Sequence, residues 1–585
     1  MEKEIHLVDY LFRRLAQLGV GSVHGVPGDY NLTILDYLES AGLGWVGNAN
    51  ELNSGYAADG YARTKGLAAL VTSFGVGELS AINAIGGAYA EKAPVVHIVG
   101  TAPLAAQSSG ACLHHSLGDG NLRVFADMYK SVTVAQANLT DAENAPRLID
   151  MTLKQCLLQS RPVYIEIPTD MVSARVAAPT GLIDLTIPGY SKLLEGQTVD
   201  KLLEKIRKAK RPLILVDGFA TRFGIRDNLD ELIRRTAFPT LTTPFGKSLV
   251  SETLSNFHGV YYGLVGNPEH AAWVKSRDLV LHFGPLPSDV NTFGFTACPD
   301  VKTTVVFEAD RVIVGNETTE PTQHHGICIK SLLEKVVAGL QEVELATVEP
   351  FPENPEDPRT LLKALPVPAP DSIVDQHSFW LRVSDFLRPG DIILTETGTS
   401  SYGGQSFVLP EDTMVINSSI WLSIGYTLAA SQGVSLAQRE MVKNGTRRPG
   451  RTILFEGEGS LQMSAQAISD IIRNRLDITI IVLNNNGYTI ERMIHGFNAS
   501  YNDVQPRRNL EAPSYFGAPK NDPSYPVTTR TAHNWGELES VLADPLIQEG
   551  KGLNMVEVFM SMDDAPVSLK KFGAYLAQRN STGQS

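Results

Sequence analysis

The feature that most constrains the fold of this chain is a pair of short apolar runs on either side of a helix-length segment. The first run, Thr-Ile-Leu-Phe, directly follows Arg451, and the second covers residues 478–483. Between them, apolar residues recur at positions 461, 465, 468, 472 and 476. Short apolar runs are typical of buried strands, and the spacing between them is that of a helix, which we expect over residues 461–475. The segment therefore predicts a strand–helix–strand unit.

Polar residues follow both predicted strands. Gly457-Glu458-Gly459-Ser460 comes after the first strand, and Asn484-Asn485-Asn486-Gly487-Tyr488 after the second. A glycine-rich turn between a strand and a helix lets backbone N–H groups approach phosphate oxygens. A carboxylate there would repel phosphate unless a cation lay between them, and carboxylate and amide oxygens suit Mg²⁺. The two turns together predict a pocket for Mg²⁺ and a diphosphate. The first turn alone is equally compatible with polar residues that merely face solvent.

Strand and helix signals alternate along the chain in three blocks. A chain of 585 residues is too long for one core, and the alternation predicts α/β domains with doubly wound parallel sheets. The predicted domains span residues 1–180, 197–345 and 371–565, followed by a C-terminal tail at 566–585. Seven prolines between Pro350 and Pro370 predict an extended connection. Residues 440–450 have the composition of an exposed loop.

Charge and cysteine content limit the classes of partner and compartment. The net charge of −14 argues against nucleic acid or an anionic membrane as the main partner. The four cysteines are scattered and support neither a disulfide framework nor a zinc site. The N-terminal segment lacks the apolar core of a signal peptide, and no uncharged run is long enough to span a membrane. We therefore expect a cytoplasmic protein that binds neither nucleic acid nor membrane.

A helix-like segment at residues 47–63 is dense in small side chains. Gly55, Gly60 and the two alanines between them would lower the stability of an isolated helix, so they make sense where this helix packs closely against another. Glu51 would then lie in the first turn of the helix, at the edge of an apolar contact. The plainer interpretation of Glu51 is a charge that favours the helix N-terminus.

Two loops of the first block carry titratable side chains. Residues 24–29, His-Gly-Val-Pro-Gly-Asp, end in Asp29, and a glycine-flanked loop places His114 beside His115. A His–Asp pair can transfer protons near neutral pH, although adjacent histidines are more commonly surface or core polar groups. The glycine-rich turn at residues 74–80 is weak evidence on its own.

Several motifs of the chain occur together in one enzyme family. In chain order they are Gly-Val-Pro-Gly-Asp29, Gly-Asn-Ala-Asn-Glu51-Leu-Asn, Phe-Gly-Val-Gly-Glu-Leu-Ser, Leu-His114-His115-Ser-Leu-Gly, Glu396-Thr-Gly-Thr-Ser400 and Asn-Asn-x-Gly-Tyr-Thr-Ile-Glu491. With them, nearly the whole chain resembles the thiamin-diphosphate-dependent 2-oxo acid decarboxylases, most closely the pyruvate decarboxylases of fungi. The resemblance implies pyrimidine-binding, central and diphosphate-binding domains in this order, with thiamin diphosphate and Mg²⁺ as cofactors. It also implies an active site between two subunits, a dimer or dimer of dimers, and a subunit contact at the helix of Glu51.

The resemblance also implies roles for matching residues. Glu51 would hydrogen-bond the aminopyrimidine of the cofactor and promote its C2 carbanion, which attacks the substrate keto carbon. Loss of CO₂ from this adduct would leave an enamine, which is then protonated and released as the aldehyde. Asp29, His114, His115 and Glu491 match the acid–base group. The implied metal ligands are Glu458, Asn485 and Gly487; the implied cofactor contacts are Thr397, Thr399, Ile424, Gly459, Ser460 and Ile490; and the implied substrate pocket contains Trp421, Ile490 and Ile494. Each apolar residue has an alternative role in the core.

Three positions depart from the family pattern. Glu458 stands where an aspartate is usual, and its extra methylene must be absorbed by a shifted turn because Mg²⁺ demands near-octahedral geometry. Leu422 stands where a glycine is common. Some relatives carry a cysteine linked to substrate activation in the segment that matches residues 216–222, and this chain has none there. Any cooperativity should therefore not depend on a thiol in that segment.

The leading functional expectation is decarboxylation of pyruvate to acetaldehyde and CO₂. The alternatives are the same reaction on phenylpyruvate, indolepyruvate or a branched-chain 2-oxo acid, and an acyloin-forming carboligase. A non-enzymatic regulator or filament subunit is disfavoured because Glu51 and the proton-relay residues are all present. The bulky side chains of Trp421, Ile490 and Ile494 favour a small substrate. The proton-relay residues His114, His115 and Asp29 argue against the carboligase.

Overall fold

The computed structural model of the chain describes residues 3–316, 320–342, 345 and 347–582, which form three large sheets and a two-stranded one. Strands β1 and β8 form the small antiparallel sheet. The elements of the first domain are β1 (Glu4–His6), α1 (Leu7–Gln17), β2 (Ser22–Gly25), α2 (Leu32–Leu35), β3 (Gly44–Gly47), α3 (Glu51–Lys65), β4 (Ala68–Ser73), α4 (Val76–Ala90), β5 (Val95–Thr101), α5 (Leu104–Ser109), α6 (Val124–Tyr129), β6 (Gln136–Asn138), α7 (Ala145–Gln159), β7 (Val163–Pro168) and β8 (Arg175–Ala177).

The central domain contains a seven-stranded sheet of order β11-β10-β9-β12-β13-β14-β15. Strands β14 and β15 run antiparallel at its edge, which short connections permit. The elements here and in the following connection are α8 (Lys192–Lys208), β9 (Pro212–Val216), α9 (Arg226–Thr236), β10 (Thr240–Thr242), β11 (Phe257–Val260), α10 (Pro268–Lys275), β12 (Leu279–Phe283), β13 (Thr304–Phe307), β14 (Arg311–Val314), β15 (Thr322–His325), α11 (Ile329–Gly339) and α12 (Pro358–Ala364).

The third domain repeats the strand order of the first. Its sheet is β17-β16-β18-β19-β21-β20, and the first sheet is β3-β2-β4-β5-β7-β6, with parallel pairing throughout both. The elements are α13 (Gln376–Val383), β16 (Ile392–Thr395), α14 (Thr399–Gly403), β17 (Met414–Ile416), α15 (Tyr426–Lys443), β18 (Thr452–Gly457), α16 (Glu458–Ser464), α17 (Ala467–Arg473), β19 (Ile478–Asn484), α18 (Thr489–Ile494), α19 (Ala512–Tyr515), β20 (Val527–Ala532), α20 (Trp535–Ala543), α21 (Pro545–Glu549), β21 (Leu553–Phe559) and α22 (Val567–Thr582).

Burial explains why these sheets form. All residues of β4 and β5 are buried, as are the first six residues of β19. Parallel sheets covered by helices on both faces consist of such continuous apolar strands. The predicted α/β architecture with mostly parallel sheets is confirmed.

Helices α3 and α15 join the first and third domains through glycines. A Cβ atom at Gly60 would lie 2.4 Å from the carbonyl oxygen of Ala430, and a Cβ atom at Gly433 would lie 1.8 Å from that of Ala57. The prediction that the small-residue helix packs closely against another is correct. Its small residues lie against α15 of the same chain, because backbone-to-backbone approach leaves no room for side chains. The expectation that this helix also lies at a subunit contact stays a prediction.

Several local predictions differ from the structure. The helix expected over residues 461–475 is interrupted, because the N–H groups of Ile468 and Ser469 bond three residues back, to Ala465 and Gln466. The loop expected at 440–450 begins only after Lys443, since Glu440 still belongs to α15.

Two proline-rich or terminal stretches also contain more helix than expected. The extended connection includes α12, with Pro358 in its first turn, where a missing N–H costs nothing. The stretch expected to be a tail forms α22, in which Phe572 is buried and its ring lies 5.5 Å from that of Phe293. No helix in the described part of the chain is long and apolar enough to cross a membrane.

Candidate active site

The carboxyl ends of three neighbouring strands of the third sheet bring one set of predicted site residues together. Glu458 follows β18, Asn485 follows β19, and Thr399 begins α14 shortly after β16. Because β16, β18 and β19 are adjacent and parallel, these residues leave the same edge of the sheet. Ligands of open α/β sheets bind at this edge.

Glu458 lies across the turn that follows β19. Its Oε1 accepts a 2.6 Å hydrogen bond from the N–H of Gly487, and its Oε2 accepts a long one, 3.4 Å, from the N–H of Asn485. The side chain is buried, and burial raises the pKa of its carboxyl, although these hydrogen bonds oppose the rise. A divalent cation at this carboxylate would favour the ionised form. The extra methylene is thus accommodated by a carboxylate that folds over the turn.

The Asn485 side chain is available as a second oxygen ligand. It is buried, and no hydrogen bond to it occurs among the described residues. At Gly487, φ is 140°, and a Cβ atom would lie 2.5 Å from the carbonyl oxygen of Asn502. Only glycine fits this point of the turn. The carboxylate, the amide and the backbone oxygen of Gly487 form a donor set that suits Mg²⁺.

Two threonine hydroxyls at the same edge lack protein partners. The Oγ1 atoms of Thr397 and Thr489 are buried and unpaired within the described part of the chain. Buried polar groups are normally hydrogen-bonded, so each hydroxyl fits a polar ligand. Ser460 and Thr399 are also buried here, in the first turns of α16 and α14. The residues present therefore fit a diphosphate, and Thr489 is a candidate contact that the sequence analysis did not assign.

A second set of predicted residues meets at the edge of the first sheet. The Nε2 atom of His114 lies 2.6 Å from Asp29 Oδ2, and the Nε2 atom of His115 lies 3.7 Å from Asp29 Oδ1. Asp29 and His114 are more than half exposed, at 53% and 59% of their side-chain surface. Tyr30, which the sequence analysis did not assign, places its hydroxyl 3.5 Å from His114 Nδ1. This open cluster can exchange protons with a bound molecule.

The glycine-rich turn after β4 supports that cluster by packing. A Cβ atom at Gly75 would lie 1.9 Å from the carbonyl oxygen of His115. The backbone of His115 has a φ of 67°. The turn therefore lets the histidine loop cross directly above it. A Cβ atom at Gly77 would lie 3.2 Å from the Oε1 atom of Glu51.

Glu51 begins α3, as predicted, after the capping residue Asn50. Its side chain is about half buried, and burial raises the pKa of its carboxyl. A carboxyl whose pKa is raised toward neutrality can both give and receive a proton. It lies beside the same turn that carries the histidine loop.

A buried carboxylate that the sequence analysis did not assign, Glu91, shapes the loop that contains Trp421. Its Oε1 accepts hydrogen bonds from the N–H groups of Ser419, Ile420 and Trp421 at 2.9, 3.1 and 3.2 Å. Burial opposes its ionisation, but Arg63, 2.7 Å away, and these hydrogen bonds outweigh it and lower the pKa of Glu91. The next residue in the loop, Leu422, has a φ of 54°.

Leu422 therefore occupies the left-handed backbone region in which glycine is most at ease. The Trp421 side chain beside it is held by a 3.0 Å hydrogen bond from its Nε1 to Asn83 Oδ1. The ring packs against Gly86 and Gly87, where a Cβ atom would approach it to 2.9 Å. Residues of the first domain thus hold this loop in place, although the loop itself belongs to the third domain.

The remaining predicted residues lie at the surface of the single chain. Trp421, Ile424 and Ile494 are 43%, 36% and 73% exposed, so the alternative of an ordinary core role for Ile494 is wrong. Glu491 is exposed and Ile490 is half-buried. Among the described residues, no hydrogen bond or ion pair joins the Asp29 cluster to Glu458 or Glu491.

Three matches to family models fall one in each of the three domains that contain a large sheet. They are the N-terminal TPP-binding domain of thiamine pyrophosphate enzymes at residues 5–121, the central domain at 199–326 and the C-terminal TPP-binding domain at 396–530. The chain therefore belongs to the thiamine pyrophosphate enzymes, whose cofactor is thiamin diphosphate with Mg²⁺ as its usual metal.

The relatives of the chain define the branch of this family that it resembles. It is 45% identical to the pyruvate decarboxylase of Aspergillus parasiticus over 573 residues, which cover 97% of this chain and 96% of the relative. It is 41% identical to that of Aspergillus fumigatus over 584 residues, covering 99% and 98%, and 38% identical to that of Kluyveromyces marxianus over 583 residues, covering 99% of each. The resemblance to thiamin-diphosphate-dependent decarboxylases is confirmed.

Proposed function

We propose that the chain catalyses the non-oxidative decarboxylation of pyruvate to acetaldehyde and CO₂. The observation that carries the reaction type is the Asp29–His114–His115 cluster, because releasing an aldehyde requires protonation after CO₂ leaves. The choice of pyruvate rests on the relatives named pyruvate decarboxylase, which match the chain over nearly its full length. Larger 2-oxo acids are the less favoured substrates.

When bound, thiamin diphosphate supplies the electron sink for the electron pair that departing CO₂ leaves behind. Glu51 holds a proton beside the aminopyrimidine, and its raised pKa suits that exchange. The Asp29 cluster, with Glu491, delivers protons at the substrate. In the proposed site the metal is held by Glu458, Asn485 and the Gly487 carbonyl. The diphosphate is held by Thr397, Thr399, Gly459, Ser460 and Thr489. The rest of the cofactor contacts Ile424 and Ile490, and the substrate contacts Trp421, Ile490 and Ile494.

Steady-state kinetics on a panel of 2-oxo acids test this function. The panel contains pyruvate, phenylpyruvate, indolepyruvate and a branched-chain 2-oxo acid, with aldehyde and acyloin products separated. We expect the highest kcat/KM for pyruvate and acetaldehyde as the main product. A higher kcat/KM for an aromatic acid, or acyloin as the main product, would contradict the proposal.

We further propose that each active site lies between two subunits of a dimer, which can pair into a dimer of dimers. The single chain leaves Trp421, Ile424 and Ile494 exposed, and exposed apolar groups near a site favour a covering partner. A site of this kind takes Glu51 from one subunit and Glu458 from the other.

Complementation between two inactive variants tests this arrangement. When Glu51→Gln and Glu458→Ala chains are co-expressed, half of the dimers are mixed and one site in each of these is intact, so activity should recover to about a quarter of wild type. A Glu51→Gln chain mixed with an Asp29→Asn chain is the control and should not recover, because both changes lie on the same side of the site. Recovery in neither mixture would place the site within one chain.

We also propose that the protein acts in the cytoplasm, on the ground that its four cysteines are all unpaired. Imaging of a fluorescent fusion against a cytosolic marker tests this localisation.

A further inference from the structure

A cavity of about 290 Å³ lies where the three domains meet, away from the residues assigned to the cofactor. The first domain contributes the end of α3 at residues 63–66, and the third contributes β17 and Asn417. The central domain contributes the segments that follow the carboxyl ends of β9 and β10. Crevices outside the carboxyl ends of parallel strands are the usual ligand sites of open α/β sheets.

The charged residues that line this cavity are all cations, in a chain whose net charge is −14. They are Arg63, Lys65, Arg222, Arg226 and Lys247. Three of them are already neutralised: Arg63 pairs with Asp59 and Glu91, Lys65 with Glu440, and Lys247 with Glu252. These three charges therefore contribute little to the binding of an anionic ligand.

Arg222 and Arg226 are different, because neither forms an ion pair in the part of the chain that the structure describes. The Nε atom of Arg222 is buried and has no hydrogen-bond partner within the described residues. Burial lowers the pKa of Arg222 to about 10, and the nearby charge of Arg63 acts in the same direction. Burial raises the pKa of Asp230, one turn along α9, and the charge of Arg226 opposes this rise without forming an ion pair. The nearby carboxylates of Asp59 and Glu91 raise the pKa of Arg222, but both already pair with Arg63. The cavity thus holds two guanidinium groups that form no ion pair of their own among the described residues.

We propose that this cavity binds a small phosphate monoester through Arg222 and Arg226. A guanidinium binds phosphate with two parallel hydrogen bonds. A phosphate monoester carries nearly two negative charges at neutral pH, which matches two unpaired guanidinium groups better than a monocarboxylate does. The remaining lining includes Ile225, Leu229 and Phe245, which suit the organic part of the ligand. The volume is near the lower end of the range for small-molecule sites.

Calorimetric titration of the full-length protein tests the proposal. The protein is saturated with thiamin diphosphate and Mg²⁺, so that the cofactor site is filled, and ionic strength is held constant because salt screens exposed charges. The probes are glycerol 2-phosphate, inorganic phosphate and malonate. We expect saturable binding of glycerol 2-phosphate in the millimolar range or tighter. Tighter binding of inorganic phosphate than of the ester identifies the free ion as the source of the same phosphate chemistry.

Variants of the two arginines make the test specific. Arg222→Gln should weaken binding of the phosphate probe by about tenfold or more, and Arg222→Lys by less, because lysine keeps the charge and loses the paired hydrogen bonds. Arg226→Gln should also weaken it. The matched control is Arg234→Gln, which removes an exposed arginine from the same helix α9 and should change the affinity by less than about twofold.

A melting assay guards against loss of folding in the variants. Without phosphate, Arg222→Gln should melt at or above the temperature of the wild type, because an unpaired cation beside other cations is removed. Glycerol 2-phosphate should raise the melting temperature of the wild type and not of Arg222→Gln. The proposal is overturned by the absence of saturable phosphate binding, by equal losses in Arg222→Gln and Arg234→Gln, or by tighter binding of malonate than of both phosphates.

Discussion

The first and third domains share one strand order, yet the carboxyl edges of their sheets carry different chemistry. The first sheet presents titratable side chains on open loops, with Asp29 and His114 more than half exposed. The third sheet presents a buried edge, where Glu458 lies against backbone N–H groups and two threonine hydroxyls are unpaired. A common scaffold therefore supplies the positions, and the loops that leave it determine whether an edge suits proton transfer or suits an anion and a metal.

Two glutamates at corresponding positions of the first and third sheets differ in the groups that their carboxylates bind. Glu78 follows β4 and Glu458 follows β18, which occupy equivalent places in the two sheets. Glu78 accepts hydrogen bonds from the Gly75 N–H and from the Tyr164 hydroxyl, so its oxygens serve the fold. The oxygens of Glu458 accept hydrogen bonds from the turn after β19 and from no side chain in the described part of the protein, so they stay available to a cation. The following changes test how far this comparison holds, from the largest expected effect to the smallest.

Glu51→Gln tests the catalytic part of the first domain. We expect kcat to fall by about 10²- to 10⁴-fold, because the amide cannot exchange the proton that the carboxyl carries. The measurement is turnover of pyruvate with the cofactor saturating. Glu39→Gln, at an exposed site of the same domain, is the control and should leave kcat unchanged. Full turnover in Glu51→Gln would show that Glu51 of the first domain takes no part in catalysis.

Glu458→Ala tests the metal-binding part of the third domain. Loss of the carboxylate should weaken Mg²⁺ retention by at least about 10- to 100-fold, with cofactor affinity falling in parallel. The readout is the Mg²⁺ concentration needed to restore cofactor binding after chelation. Glu458→Asp is the matched control and should retain the metal. Unchanged Mg²⁺ dependence in Glu458→Ala would show that this edge does not hold the metal.

Gly433→Ala tests the contact that ties the two domains together. A methyl group 1.8 Å from the Ala57 carbonyl forces the helices apart, which should cost about 1–3 kcal/mol of unfolding free energy. Chemical denaturation measures it. Gly196→Ala is the control: Gly196 lies in α8 with no atom within 4 Å of the added methyl, so this change should stabilise by about 0.5–1 kcal/mol. Equal effects of both changes would mean that α3 and α15 are not in tight contact.

Glu78→Gln tests the structural role assigned to the glutamate of the first sheet. Burial raises the pKa of Glu78 from 4.5 to about 7, so the folded protein keeps a proton that the unfolded chain releases. Its contribution to stability is greatest below about pH 4.5 and is lost as the pH rises toward about 7. Glu78→Gln should make this decline shallower by up to about 1.4 kcal/mol per pH unit. Glu143→Gln, at an exposed site, should leave the slope unchanged.

Sequence patterns predict the parts of this protein that depend on local physics. The strands β4, β5, β18 and β19 are buried on both faces, so their apolar runs are visible without a structure. Glu458 is found from its glycine-rich turn at the end of a strand together with the asparagine turn after the next strand, whereas the role of Glu51 comes from the family resemblance, because its position alone favours a helix N-terminal charge. The domain boundaries and the roles of the site residues stay predictions.

Contacts between distant parts of the chain are not visible in the sequence. Glu91 is important because backbone N–H groups some 330 residues away converge on it, and no local pattern announces that. The left-handed conformation of Leu422 follows from this same loop. The helix α22 was mistaken for a tail because its apolar residues pack on residues of the central domain, far away in the sequence. The small residues of α3 indicate a close contact, but they do not identify α15 as the element that lies across it.

The glycine contacts between α3 and α15 restrict the motions that remain available during turnover. Backbones in direct contact cannot slide without breaking several atomic contacts at once, so the first and third sheets of one chain should move as a single body. Any opening of the proposed site would then come from exposed segments such as the loop of His114 and the residues around Ile494. Slow amide exchange in the two helices and fast exchange in these loops would be the signature of that division.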